Sequence, residues 1–324
     1  MMQLNGLKEQ MRGVQVILMT PFNTDGSLDL EGMRGNIRWL TEYATDKEFT
    51  FIPLGSNSEF YAMSDEEQKA VIEMVVEETA GRAVVMAGAG RAGTRETIKI
   101  CQDAEALGAD GALVILPYYF VPEEEGMYQH YKQVAESVGK DFGIMVYNNP
   151  GPTGSWIKPS LMARLAKIPN IIGVKECTEY VESYYDMQRA VDPKDAVILC
   201  GNSELMFSFE ALYGCPGFMC QIANFAPDLS YSIYKAGVAR DFDKLTELVD
   251  AVVPFFGFAS KLGANHGPHT GVGVSGGNVE LSVYKAAMDI AGLKGGEVRL
   301  PLVGLKKEEK DDLRDVMRSM KIGR

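Results

Sequence analysis

A lysine that closes an apolar run is the sharpest chemical feature of this 324-residue chain. Lys175 follows Ile171-Ile172-Gly173-Val174, so its stem leaves a buried segment and its amine sits at the end of it. Burial disfavours an ammonium, and the pKa is expected to fall below the ordinary value of about 10.4. A neutral amine attacks a carbonyl carbon and forms a Schiff base, an electron sink for carbon–carbon cleavage. The competing reading is a structural ion pair between Lys175 and Glu176 or another neighbour. Tyr147 ends the preceding apolar run, where its hydroxyl can exchange protons with a substrate held over Lys175, or simply cap the core. Gly55–Glu59 combines a turn glycine with Ser56 and Asn57. Such a turn offers N–H groups and a hydroxyl to a carboxylate, though it also suits an ordinary loop before a helix.

These residues need a frame that brings strand ends together. Apolar runs recur at Val14–Pro21, Phe49–Gly55, Ala83–Gly90, Gly111–Pro117, Gly143–Pro150, Ile171–Glu176, Ala196–Asn202 and Gly217–Ala223. Their starts lie 35, 34, 28, 32, 28, 25 and 21 residues apart, room for one strand and one helix each. The runs are continuously apolar rather than alternating, as parallel strands covered on both faces are. Between them stand helix starts: the capping box Ser64-Asp65-Glu66-Glu67, Gly93-Thr94-Arg95-Glu96, Pro159-Ser160 and Pro227-Asp228. Gly81, Gly108 and Gly139 are expected at helix ends. Eight such units predict a closed (β/α)8 TIM barrel over residues 1–240, preferred to a doubly wound sheet. Residues 241–324 read as a C-terminal helical appendage with helices over Asp241–Ser260, Val279–Ala291 and Lys306–Met320. Gly263–Asn278 reads as a Gly-rich loop. Barrel sites form at the C-terminal strand ends, where Gly55, Ser56, Asn57, Tyr118, Tyr119, Tyr147, Lys175 and Gln221 gather, with Gln221 read as a substrate contact.

Composition narrows the function further. A hydrophobic fraction of 46% with 23% charged residues excludes intrinsic disorder. A net charge of −12 repels phosphate backbones and anionic lipid, so neither nucleic acid nor membrane is an expected partner. No signal peptide or membrane-length apolar run is evident. The five cysteines have no C-x-x-C pair and read as buried thiols of a cytoplasmic protein. Gly88-Ala89-Gly90-Arg91-Ala92-Gly93 matches a dinucleotide fingerprint. The acid that should follow, Asp110, lies at the wrong end of the next strand, so a tight barrel turn is expected instead. His266-Gly267-Pro268-His269 has no third ligand beside it and reads as a solvent loop, and no metal site is expected.

In order and spacing, the chain resembles the dihydrodipicolinate synthase / N-acetylneuraminate lyase family of class I, Schiff-base aldolases. The resemblance is carried by Gly55–Glu59 (G-x-x-x-E), Pro117-Tyr118-Tyr119, Tyr147-Asn148-Asn149-Pro150-x-x-Thr153-Gly154, Ile172–Glu176 and Val298-Arg299-Leu300-Pro301-Leu302. It implies that Lys175 forms the imine with pyruvate or another 2-oxo acid, that Ser56 and Asn57 hold its carboxylate, and that Tyr147 shuttles the proton. It also implies that Tyr119 crosses a subunit interface to complete a proton relay, in a homotetramer built as a dimer of dimers. No cofactor beyond the lysine imine is implied. Departures bear on the substrate. Synthases of the family carry an arginine where Pro152 stands, and that arginine grips the carboxylate of the aldehyde partner. Ser56-Asn57 is closer to aldolase-like loops, including 4-hydroxy-2-oxoglutarate aldolases, than to the synthase Thr-Thr pair, and Ser58 replaces a glycine. The expected reaction is retro-aldol cleavage of a 2-keto-3-deoxy or 4-hydroxy-2-oxo acid. The alternatives are a dehydratase or deaminase using the same imine, formation of 4-hydroxy-tetrahydrodipicolinate, weakened by Pro152, and a non-catalytic 2-oxo acid binder.

Overall fold

A computed structural model describes residues 3–266 and 279–322. Eight strands among them close into one parallel barrel in sequence order: β1 Gly13–Ile17, β2 Phe49–Ile52, β3 Val84–Ala89, β4 Gly111–Ile115, β5 Gly143–Asn148, β6 Ile171–Glu176, β7 Val197–Cys200 and β8 Gly217–Cys220. Closure is made by β1 on β8, with Val14 opposite Phe218 and Val16 opposite Cys220. Every strand residue but Val197 is buried, because barrel side chains fill one face and the helical ring covers the other. The expected (β/α)8 architecture is therefore the observed one.

Local signals explain the helix boundaries. Ser64 accepts from the Glu67 N–H while the Glu67 carboxylate accepts from the Ser64 N–H, a complete capping box for the helix Asp65–Thr79. Pro159 and Pro227 occupy first helical positions, where no partner for an N–H is lost. Gly81 and Gly108 take positive φ after their helices, as expected. Gly139 does not: the helix Glu124–Glu136 already ends at Ser137, and the Gly139 N–H donates to Glu105 instead. A short helix not anticipated from the sequence, Leu4–Gln10, buries Leu7 at the N-terminal end of β5.

The appendage begins where Arg240 turns the chain with φ 57°. The helix Phe242–His266 packs on the helices Ser203–Glu210 and Pro227–Ala239 and runs six residues beyond the expected Ser260. Phe255 bridges Phe225, at 5.6 Å between ring centroids, and Tyr284, at 5.3 Å. Tyr284 belongs to the helix Val279–Ile290, and Lys307–Ser319 closes the described chain. His266 is thus a helix end rather than a solvent loop. Its Nε2 lies 2.5 Å from Glu309 Oε1, tying the first appended helix to the last. His269, the match Gly271–Gly276 and most of the Gly-rich loop lie outside the described residues.

The fingerprint-like glycines at 88–93 are packing devices. A Cβ at Gly88 would sit 1.9 Å from the Leu54 carbonyl oxygen, so only glycine lets β3 pass the chain that leads into Gly55. Arg91 turns its guanidinium to Asp65 and Gln68.

Candidate active site

Lys175 and Tyr147 are paired partners across β5 and β6, and so are Asn148 and Glu176 one residue further on. Alternation then separates the two pairs onto opposite faces of the sheet. Lys175 Nζ lies 3.9 Å from the centroid of the Tyr147 ring, and the Tyr147 hydroxyl accepts from Asn149 Nδ2 at 2.8 Å. On the other face, the Glu176 carboxylate accepts from Asn148 Nδ2 at 2.7 Å and from the Thr178 N–H at 2.9 Å. The ion pair considered for Lys175 and Glu176 is therefore absent. No carboxylate of the described residues lies within 4.0 Å of Lys175 Nζ.

The surroundings of Lys175 correct a second expectation. The residue is 5% exposed, and burial does oppose its ammonium. Tyr147, Cys177 and Cys200 act in the opposite sense and prevail, so its pKa lies above the ordinary lysine value rather than below it. Lys175 therefore waits as an ammonium and must give up a proton before it attacks. Cys177 follows on the same face of the chain, and burial lifts its own thiol to about 11.

Above this pair opens a cleft of about 1210 Å³. Ser56, Asn57, Tyr118, Tyr147, Lys175 and Gln221 line it, so most of the strand-end residues picked from the sequence converge. Ser56 and Asn57 lie in one tight turn, Ser56–Ser58, half-buried and facing the cleft. Gly55 sits beneath them, its Cα against Ile17, and lines a small void below the cleft floor. Tyr119 stands apart: it is 87% exposed, has φ 89°, and packs edge-on against Phe120 with centroids 4.9 Å apart.

Several lining residues were not picked from the sequence. Phe256, Glu280 and Tyr284 bring the appended helices to the mouth, and the Tyr284 hydroxyl donates to Glu280 Oε1 at 3.1 Å. The spacing of Glu280 and Tyr284, one helical turn apart, was the only local trace of that wall. Asn149, Trp156, Glu179 and Tyr180 complete the rim. Among the described residues that line the cleft, Lys175 is the only cation.

A barrel whose mouth holds a buried lysine against a tyrosine, beside a turn of hydrogen-bond donors, defines a Schiff-base carbon–carbon lyase. The model of the Dihydrodipicolinate synthetase family matches residues 10–267. The chain is 33% identical over 310 residues to the 4-hydroxy-tetrahydrodipicolinate synthase of Archaeoglobus fulgidus, covering 96% of this chain and 98% of that protein. It is 37% identical over 230 residues to the enzyme of the same name from Methylococcus capsulatus, covering 71% and 77%. Among solved structures, the chloride-inhibited dihydrodipicolinate synthase of Acinetobacter baumannii in complex with pyruvate superposes with a TM-score of 0.83 at 28% identity, covering 96% of this chain and 99% of that one. A pyruvate-bound prophage protein of the dihydrodipicolinic acid synthase family from E. coli K12 gives 0.84 at 28%, with the same coverage. This chain belongs to the dihydrodipicolinate synthetase family.

Proposed function

We propose that the enzyme cleaves a 2-keto-3-deoxy or 4-hydroxy-2-oxo acid to pyruvate and an aldehyde, with Lys175 as the nucleophile. The observation that carries this reading is the pairing of Lys175 with Tyr147, 3.9 Å from amine to ring, in a buried cleft. Lys175 Nζ, once deprotonated, adds to the C2 carbonyl; loss of water leaves the imine. Tyr147, left as a phenolate after giving its proton to the C2 hydroxyl that departs as water, takes the proton of the C4 hydroxyl as the C3–C4 bond breaks, and that electron pair flows into the imine to give an enamine. The aldehyde departs. A proton returned to C3 restores the imine, and water releases pyruvate and the free amine. Ser56 and Asn57 hold the C1 carboxylate, with Gly55 shaping the turn and Gln221 contributing from the end of β8. The lysine imine is itself the electron sink, and no separate cofactor enters the scheme.

The charge pattern of the cleft favours an aldehyde without a carboxylate. Beyond Lys175 the charged lining residues are Glu179 and Glu280, and Pro152 stands on the rim where an arginine would serve an anionic partner. The curated relatives are named as synthases, and this is the observation behind the second reading, condensation of pyruvate with aspartate semialdehyde. Dehydration or deamination through the same imine would leave the carbon skeleton whole. The exposure of Tyr119, beside exposed Phe120 and Val121, supports the reading that it acts across an interface in a homotetramer. Five unpaired cysteines suit a cytoplasmic enzyme.

Borohydride reduction with pyruvate, followed by peptide mass spectrometry, tests the core of the proposal. A reduced pyruvyl adduct on Lys175, lost in Lys175→Ala, is expected. A folded protein with no adduct on any lysine would overturn it. Product analysis then separates aldehyde plus pyruvate from an intact skeleton. Pro152→Arg is expected to raise kcat/KM for aspartate semialdehyde about tenfold; no gain removes the arginine argument.

A further inference from the structure

Among the described residues, the only buried ion pair between the barrel and the appended helices ends on the turn that carries Ser56 and Asn57. Glu59, the next residue after that turn, has no exposed surface and a left-handed backbone with φ 59°. Its Oε1 accepts from Lys285 Nζ at 2.5 Å, and its Oε2 accepts from the Arg299 N–H at 2.9 Å. Lys285 is equally buried, lies 226 residues away in sequence, and also donates to the Glu297 carbonyl at 2.6 Å. Its ammonium rests 4.5 Å from the centre of the Phe22 ring. Arg299 locks the same corner by reaching Glu67 and the carbonyls of Gly26 and Ala62. Next to Glu59, the hydroxyl of Ser58, the last residue of the turn, donates to the Leu18 carbonyl just beyond β1.

A desolvated pair of this kind is costly to form and is a poor source of net stability. What it supplies is geometry: a left-handed residue at the end of a turn persists when its surroundings over-determine it. The helix that carries Lys285 also sends Glu280 and Tyr284 to the cleft wall. One helix thus fixes the wall of the cleft and, through Lys285, the turn opposite.

We propose that Lys285 and Glu59 are positioning residues whose ion pair holds the Ser56-Asn57 turn in register to bind the carboxylate of the 2-oxo acid. This rests on the reading of Ser56 and Asn57 as that carboxylate's anchor. Its effect falls on affinity for the oxo acid, while Lys175 and Tyr147, held by β5 and β6, keep their chemistry.

The test compares the full-length protein with the double variant Glu59→Gln/Lys285→Met, which leaves neither charge unpaired, and with the single variant Lys285→Met. Two readouts are taken: the pyruvate concentration that half-saturates borohydride trapping on Lys175, and hydrogen exchange of the peptide spanning Leu54–Phe60. The double variant is expected to need about tenfold more pyruvate, the loss of roughly one charge-assisted hydrogen bond at the anchor, with trapping at saturation within about threefold of the parent. Exchange in the 54–60 peptide is expected to quicken while the β5 and β6 peptides stay protected. A double variant with parental half-saturation and parental exchange would overturn the proposal. So would a loss of saturated trapping equal to the loss of affinity. If the parent itself traps no pyruvate, the active-site reading fails, and the exchange of residues 54–60 still decides whether the pair holds the turn.

Discussion

Replacing Tyr147 with phenylalanine should move two observables in opposite directions. The ring is buried and its contact with Lys175 is through its face, so Tyr147→Phe keeps the packing and removes one oxygen. The structural cost is the bond from Asn149 Nδ2, about 1 kcal/mol for a half-buried donor that water can reach. The chemical cost is larger, because the phenol is the group placed to carry the proton of the cleaved alcohol. Loss of a general acid–base slows turnover by about 10²–10⁴, which is roughly 2.7–5.4 kcal/mol of barrier. Lys175 responds differently. Burial pulls its pKa down, and Tyr147 is the foremost of the neighbours that push it up, so deleting the phenol must lower that pKa. The amine of the variant is therefore free at lower pH.

Borohydride trapping of the Lys175 imine at saturating pyruvate, followed across pH, should show its rising limb displaced to lower pH in Tyr147→Phe. Aldol cleavage by the same protein should be nearly abolished at every pH. Turnover within tenfold of the parent would remove Tyr147 from proton transfer. A trapping profile that stays in place, or shifts upward, would refute the account of what holds the lysine protonated.

Two further outcomes follow from buried groups elsewhere. Burial lifts the Glu210 carboxyl to about 8, so between about 4.5 and 8 the folded protein holds a proton that the unfolded chain releases. Stability should then fall as pH rises through that window, by about 1.4 kcal/mol per unit, and Glu210→Gln should flatten this part of a melting-temperature profile; a variant whose profile parallels the parent would contradict it. Gly88→Ala forces a methyl against the Leu54 carbonyl and, at 2.9 Å, the Gly55 nitrogen. It should cost about 1–3 kcal/mol in thermal or chemical unfolding and raise the pyruvate needed for trapping, and a neutral effect on both would show that the strand can yield there.

Much of the frame was legible because it is written locally. Strands buried on both faces read as unbroken apolar runs, and Ser64–Glu67, Pro159 and Pro227 announce their helices within one turn. Lys175 and Tyr147 were legible as strand ends, and the barrel's cyclic order does the rest by making β5 and β6 neighbours. What escaped was set by contacts far apart in sequence. The helix expected over Asp241–Ser260 is present, Pro254 and Gly257 included, but its last six residues were missed: Gly263 argues against them, while Ala259 and Leu262 bury one side and carry the helix to His266. Glu59 and Lys285 have no periodic or short-range signature, since only the fold brings them within a hydrogen bond.

The reversed pKa of Lys175 has the same origin and a mechanistic consequence. From the sequence, the residue is a stem in an apolar strand, and burial alone speaks. In the barrel, β5 sets the Tyr147 phenol over the amine, and Cys177, just past β6, and Cys200 of β7 add their thiols. Tyr147, Cys177 and Cys200 together outweigh burial and favour the ammonium, so the resting enzyme holds its nucleophile protonated. A 2-oxo acid arriving with its own carboxylate is drawn to that cation, and the proton must then leave before nitrogen can attack. Tyr147 is the polar group already in contact with it and already bonded to Asn149 at the cleft wall. One phenol thereby links the activation of Lys175 to the proton transfer of bond cleavage, and this is why its removal should free the amine and stop the reaction at once.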